Sequence, residues 1–280
     1  MKKVISFTLW GNAEIYLFGG LLNADIAKKE WPGWICRYYV DATEIPKLFL
    51  DELNSRDNTE IIYMNESGCQ FSTLWRFYAA EDCDVMISRD ADSRLNNRDK
   101  VAVDEWITSG KDYHILRDSC QHTRPMAAGM WGVRGRVLKD IRKMVDDYRE
   151  FSIRNEIYDW FGVDQEFLED IIYPLTRGNA LVHDDWTTTQ PIFAGEERTP
   201  MPISRLRGDG WWKQEFPEWH NGFELHKESH WFRDENCKNP ECCRPCPACG
   251  EYHDNCYIGQ TFFVTEDERN KYNKLKGIFG

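Results

Sequence analysis

No apolar run in the 280-residue sequence is long enough to cross a bilayer. Positive charge is also in short supply: 35 Lys and Arg stand against 47 Asp and Glu, a formal net charge of -12. A chain this acidic lacks the basic stripe that long nucleic acid rewards. It can still hold a small anion through a metal and a few local arginines. There is no G-x-G-x-x-G, so the ordinary dinucleotide fingerprint is missing. Internal repeats and low-complexity segments are absent too. The early apolar run, residues 4–10, is barely long enough for the core of a signal peptide. It stops at Gly11-Asn12 with no small-residue cleavage site. It reads as a first β-strand, and the protein as soluble and cytoplasmic.

What is present is core-forming material. Hydrophobic residues make up 41% of the chain, with 12 Trp, 12 Tyr and 15 Phe, which argues against disorder and for a real core. Short strand-like runs at residues 4–9, 35–40, 60–64, 85–88 and 113–116 alternate with helical patterns. Asn12 is placed to cap the first helix, and Asn97 one that Gly110 stops. A polar helix is expected over 137–151, a helix begun by Asp164 and ended by Pro174, and a strand over 180–182. Strands joined by helices imply an α/β fold with a mostly parallel central sheet flanked by helices. In such sheets ligands bind outside the carboxyl ends of the strands. "WGN", Asp41, and the pair Asp90 and Asp92 all fall at such ends.

The stretch "VMISRDADSRL" carries a strand straight into Asp90-Ala-Asp92, with Arg89 and Arg94 on either side. Two carboxylates converging at a strand end suit a hard divalent cation, Mg²⁺ or Mn²⁺, with sites left open for phosphate. The arginines either assist with phosphates or hold the carboxylates in place. The plain alternative is a solvated turn with surface ion pairs.

The wider context narrows this. "RFYAAEDCDVMISRDADSRLNNRDKVAVDEWITSG", then "HILRDSCQH", "GMWGVR", "DQEFL" and "HDDW", resembles GT-A type glycosyltransferases with a DxD motif, in particular bacterial and giant-virus members. The resemblance runs over about residues 4–186, with a weaker echo at "YIGQ". It implies a single GT-A, Rossmann-like catalytic core over 1–186, completed by 187–280. It also implies transfer of a hexosyl or pentosyl group from a nucleotide-diphosphate sugar to a glycan, a protein or another acceptor, with Mn²⁺ or Mg²⁺. Asp92 then matches a metal ligand, and Asp90 either shares the metal or touches ribose. His183 matches the late metal-site histidine, with Asp184 as its substitute; the other reading is a packed histidine at a strand end. Trp10 and Gly11 line the nucleotide pocket or are a plain strand exit. Gly129 and Trp131 line the donor-sugar pocket, Trp131 as a stacking platform or as core. Asp164 is the candidate general base or simply a helix cap. Arg76 is a phosphate or carboxylate partner, or a structural arginine; Arg117 and His122 share that ambiguity.

Ten cysteines are present, and six crowd into "CKNPECCRPCPACGEYHDNC" at about 237–256. "CPACG" has zinc-knuckle spacing, and Cys237, Cys242, Cys243, Cys246, Cys249, His253 and Cys256 supply candidates for a structural Zn²⁺ with four ligands per site. Disulfides are the alternative. Cys36, Cys69, Cys83 and Cys120 are scattered and read as small buried residues. Other functions fit less well. A phosphotransferase with a nucleophilic first Asp carries its pair on the first strand, not the fourth. Nucleotidyltransferases begin with a glycine-rich "GxGTR"-like turn that is missing. A phage-type DNA-base glycosyltransferase lacks its basic stripe here. A non-catalytic zinc-bearing module leaves the intact aspartate pair without a use.

Overall fold

The computed structural model describes residues 1–41, 43–117, 124–135, 137–155, 161–184, 196–203 and 266–278. Among these residues, seven strands form one sheet: β1 (Lys3–Leu9), β2 (Trp34–Val40), β3 (Thr59–Tyr63), β4 (Val85–Ser88), β5 (Tyr113–Arg117), β6 (Trp131–Arg134) and β7 (Ala180–Asp184). Their order is β3-β2-β1-β4-β6-β5-β7. All neighbours pair parallel except β6, which runs antiparallel to both β4 and β5. The architecture is the α/β, mostly parallel sheet flanked by helices that the sequence predicts. The glycine-rich "MAAGMWGVRG" delivers the antiparallel strand, which alternation alone did not foretell.

The order creates one switch point. From β1 the chain builds outward through β2 and β3, then crosses back to lay β4 on the other side of β1. Connections leaving β1 and β4 diverge, and the crevice between their carboxyl ends is where a doubly wound sheet takes a ligand. Trp10-Gly11 leaves β1 there, and Asp90 and Asp92 leave β4 there.

Strand alternation feeds two large cores, one on each face, beside a small cluster of Ala102, Leu116, Met130 and Met201. On one face Val4, Met86, Ile115, Trp131 and Val182 meet a 3₁₀ helix (Gln70–Glu81), α4 (Ile141–Arg154) and α5 (Val163–Phe167). On the other, Ile5, Phe7, Leu9, Val85 and Ile87 meet α1 (Glu14–Glu30), α2 (Lys47–Asn54) and α3 (Asn97–Ser109). Each fully buried aliphatic or aromatic side chain contributes about 1.5–3 kcal/mol, so both layers are firmly held. The last helix, α6 (Glu266–Leu275), packs on α1: Tyr272 sets its ring edge against Phe18, with centroids 5.4 Å apart, and donates to Glu14. Among the described residues, no helix is long and apolar enough to cross a membrane.

Some local expectations shift. Ala13, not Asn12, precedes α1, and no side chain caps it. Asn96, not Asn97, caps α3, its side-chain oxygen accepting from the Asp99 amide at 2.9 Å. Gly110 ends α3 at φ 76°, the left-handed conformation that closes a helix. The polar helix α4 begins four residues later than the pattern suggests, at Ile141. Cys36 and Cys83 are buried free thiols, pushed up to about 12 chiefly by burial, and so are unreactive. Cys120, His122 and the whole 237–256 cysteine cluster lie outside the described residues.

Candidate functional site

Alternation along β4 sends Arg89 to the α3 face and Asp90 to the α5 face. Arg89 is buried and makes a fork to Asp99, Nε to Oδ2 at 2.8 Å and Nη2 to Oδ1 at 2.6 Å. Its Nη1 also donates to the Ser88 and Trp131 carbonyls. Arg94 donates to the carbonyls of Asp92, at 3.0 Å, and Ser93, at 3.4 Å. Both arginines thus help to fix the turn that carries the aspartates. Sequence reading missed a third anchor, Asn23, buried in the middle of α1. Its amide donates to the Ser93 carbonyl at 2.7 Å and to that of Ala91 at 3.3 Å, and accepts from the Leu95 amide at 3.0 Å. Gly19, one turn earlier, lets the turn lie on the helix backbone: a Cβ there would stand 2.0 Å from the Ala91 carbonyl oxygen. The available signal was a polar residue and a Gly-Gly pair inside the apolar run "LFGGLLNADIA".

On the opposite face, Arg76 joins Asp90 to Asp164. Its Nη2 donates to Asp164 Oδ2 at 2.7 Å, and its Nη1 donates to Asp90 Oδ1 and to the Arg89 carbonyl. β1 aims it: Thr8 Oγ1 accepts from the Arg76 amide at 3.1 Å, and Ser6 Oγ donates to the Arg76 carbonyl at 2.6 Å. Those two hydroxyls continue the Val4 face of β1, so the strand pattern itself dictates their reach. Asp164 sits in the first turn of α5, after Gly162 at φ 95°, rather than at the cap position. Its Oδ1 accepts from the Gln165 amide at 2.8 Å. Gln165 Oε1 accepts from the Ala128 amide, and Ser88 Oγ donates to the Ala128 carbonyl, which ties the glycine-rich turn to both elements. Gly129 lies so near Asp90 that a Cβ would stand 2.1 Å from its Oδ2. Asp92 is partly buried. Burial first, then the Asp90 charge, against Arg94, push its carboxyl up to about 6.

The β1 and β2 ends make the other wall. Gly11 turns at φ 68°. Trp10 packs onto Gly68, where a Cβ would lie 2.3 Å from its own. Asp41 accepts from the Thr43 amide and hydroxyl and, at 2.7 Å, from the Gly68 amide. Burial works against its ionisation, but these bonds prevail and hold its carboxyl below the ordinary value. Glu66, in the same turn, accepts from Trp75 Nε1 at 3.0 Å and from Arg149 at 2.6 Å. The 64–68 turn is therefore fastened beneath Trp10.

The structure gathers Arg76, Asp90, Gly129 and Asp164 on one face, with Asp92 at the turn and Trp10 and Gly11 across the crevice. It does not gather His183 with them. That residue is buried on the α3 face, its Nδ1 in hydrogen-bond contact at 2.8 Å with His114 Nε2 and its Nε2 3.5 Å from Glu105. Asp184 is paired with Arg117 at 2.9 Å, and Arg117 also holds Glu196. Trp131 is fully enclosed, its ring 5.2 Å from Phe77, in the core rather than on a surface. Among the described residues no three His, Cys, Asp or Glu side chains converge as a metal cage.

The buried histidine pair has a pH consequence. Burial first, then His183 and Arg89, hold His114 well below its ordinary value, so it is neutral when folded. An unfolded histidine takes its proton near pH 6.5. The stability that His114 supports is therefore complete above that pH and is lost as pH falls, at up to about 1.4 kcal/mol per pH unit. The difference in unfolding free energy between wild type and His114→Gln should show this slope from pH 7.5 to 5, since other groups titrate alike in both.

A doubly wound α/β protein with an acidic turn at its switch point is what fold and site define. No protein-family model matches the chain, and no curated protein sequence does. Similar solved structures include a glycosyltransferase involved in the glycosylation of the major capsid of PBCV-1, at 18% identity and TM-score 0.41, with 66% of this chain and 82% of that one covered. Another is S. aureus TarS 1-349 in complex with UDP, at 16% and 0.45, covering 66% and 58%. A third is a 4-diphosphocytidyl-2C-methyl-D-erythritolsynthase from Anaerococcus prevotii DSM 20548, at 10% and 0.40, covering 65% and 87%. These are distant likenesses, and the strand order and side-chain geometry stand independently of them.

Proposed function

We propose that the chain is a metal-dependent glycosyltransferase that moves a hexosyl or pentosyl group from a nucleotide-diphosphate sugar to a glycan or protein acceptor in the cytoplasm. The observation that carries this reading is the switch-point crevice, with Trp10-Gly11 on its β1 side and the braced Asp90-Ala-Asp92 turn on its β4 side. Two carboxylates, one partly buried and the other sharing one oxygen with Arg76, offer a hard oxygen donor set. That chemistry fits Mg²⁺ or Mn²⁺, for which one or two carboxylates and substrate phosphate commonly suffice. Asp92 and Asp90 would hold it. Bound there, such an ion supplies charge neutralisation for a leaving diphosphate.

The chain's own residues do the rest. Trp10, Gly11 and the 64–68 turn shape the end of the crevice where the base of the nucleotide would lie. Arg76 fixes one oxygen of Asp90, and Gly129 leaves room for the other. Asp164 has Oδ2 on Arg76 and Oδ1 on a backbone amide. It is better arranged to orient Arg76 than to take a proton from an acceptor, and orientation is its first task in this reading. The thiols and His253 at 237–256 complete the proposal as a structural zinc segment.

Thermal unfolding with UDP, GDP, CDP and TDP, each with and without Mn²⁺, tests the reading on wild type and Asp92→Ala. Binding to the native state raises the midpoint. One nucleotide should stabilise wild type only with metal, and Asp92→Ala not at all. No shift with any nucleotide overturns the reading.

A further inference from the structure

We infer that Asn23, on α1, is a positioning residue that sets how tightly the Asp90–Asp92 turn holds a divalent cation; this rests on the metal-dependent reading above. The hydrogen bonds of the Asn23 side chain go to backbone groups rather than to either aspartate carboxylate. It grips the backbone on both sides of Asp92, through the carbonyls of Ala91 and Ser93 and the amide of Leu95. Its side chain is 1% exposed, and a buried amide is costly unless its hydrogen bonds are made. Inside a helix, Asn is also a poorer choice than Ala or Leu. Helix α1 therefore carries this residue against its own preferences, and its side-chain hydrogen bonds go to the one turn.

The surroundings say why such a grip matters. The turn carries two acidic side chains one residue apart, Asp90 and Asp92, and Arg76 engages one oxygen of the first. Left alone, two like charges would spread the turn until they part. Asn23 and Arg94 hold three successive carbonyls, 91 to 93, from behind. Gly19 allows the turn to sit directly on α1, with no side chain between. The backbone that carries the carboxylates is thus fixed before any cation arrives, and preorganisation of this kind is what outer contacts contribute to metal affinity.

The test is the dissociation constant for Mn²⁺, read from the electron paramagnetic resonance signal of free ion, with UDP, GDP, CDP or TDP present. Wild type is compared with Asn23→Ala and Gly19→Ala, the second keeping the amide but pushing on the Ala91 carbonyl. Asn23→Ala should weaken Mn²⁺ about tenfold, and activity should recover to within about twofold of wild type when Mn²⁺ is raised to saturation. Loss of stability alone would lower the unfolding midpoint and leave this constant unchanged. A folded Asn23→Ala with wild-type Mn²⁺ affinity overturns the inference and leaves the function standing. If Asn23→Ala does not fold, the same comparison is decided on Gly19→Ala. Wild type that binds no Mn²⁺ with any of the nucleotides overturns the metal reading and this inference together.

Discussion

Asp92→Asn should abolish metal-dependent nucleotide binding while making the metal-free protein more stable at neutral pH. The two effects have one cause. The wild-type carboxyl is pushed up to about 6 by burial and by the neighbouring Asp90 charge, whereas in the unfolded chain it ionises near 3.9. Below the unfolded value both states carry the proton and the site costs nothing. As pH rises, the unfolded chain ionises first. Above about 6 the folded state bears the full cost of the buried charge, on the order of 2 kcal/mol. Asparagine has the same shape and no charge, so the difference in midpoint between variant and wild type should grow from pH 4 to pH 6 and then level off. Adding Mn²⁺ and the cognate nucleotide should reverse the ranking, because only wild type gains binding energy. A structural aspartate would behave otherwise: its loss would destabilise with or without metal. Unfolding midpoints over that pH range, with and without Mn²⁺, decide between them.

The parts of this arrangement that sequence made legible are those with local causes. The strand ending in Asp90 and Asp92 is bounded by its own composition, and the glycine after α3 marks its stop. The same locality explains the misses. Arg76 and Asp164 are 88 residues apart, and nothing near either one announces the other. His183 matches a metal-ligand position in the chain, yet its neighbours are decided by β7 pairing with β5, which sets it opposite Leu116 and diagonally beside His114. Trp131 reads from sequence as either a platform or core, and only the pairing of β6 with β4 puts its ring in the core with Phe77. Asn23 was open to detection, since a buried amide among leucines and glycines asks for partners. The pattern around it tells that something is held, and only the fold tells that it is the acidic turn.

Arg76 is where function and stability are expected to pull on the same atoms. Arg76→Leu strips the counter-charge from Asp164, which is nearly enclosed, and from Asp90, which is partly solvated. Removing one partner of a buried pair typically costs about 3–5 kcal/mol, and the solvated share of Asp90 places this case near the lower end. Most of the cost is the stranded Asp164 charge, so Arg76→Leu combined with Asp164→Leu should be less destabilised than the sum of the single changes, by about 1–3 kcal/mol. Arg76→Lys separates the two roles. It keeps the charge, but one ammonium cannot reproduce a fork that reaches Asp164, Asp90 and the Arg89 carbonyl together. That variant should fold, lose about 1–2 kcal/mol, and still lose activity by about a hundredfold, the scale of a catalytic group displaced by roughly 1 Å. Urea unfolding of Arg76→Leu, Asp164→Leu, the double variant and Arg76→Lys, beside their transfer rates at saturating donor and metal, checks both halves. Full activity in Arg76→Lys would mean that Asp90 needs only a nearby charge and that the geometry of the Arg76 fork is structural.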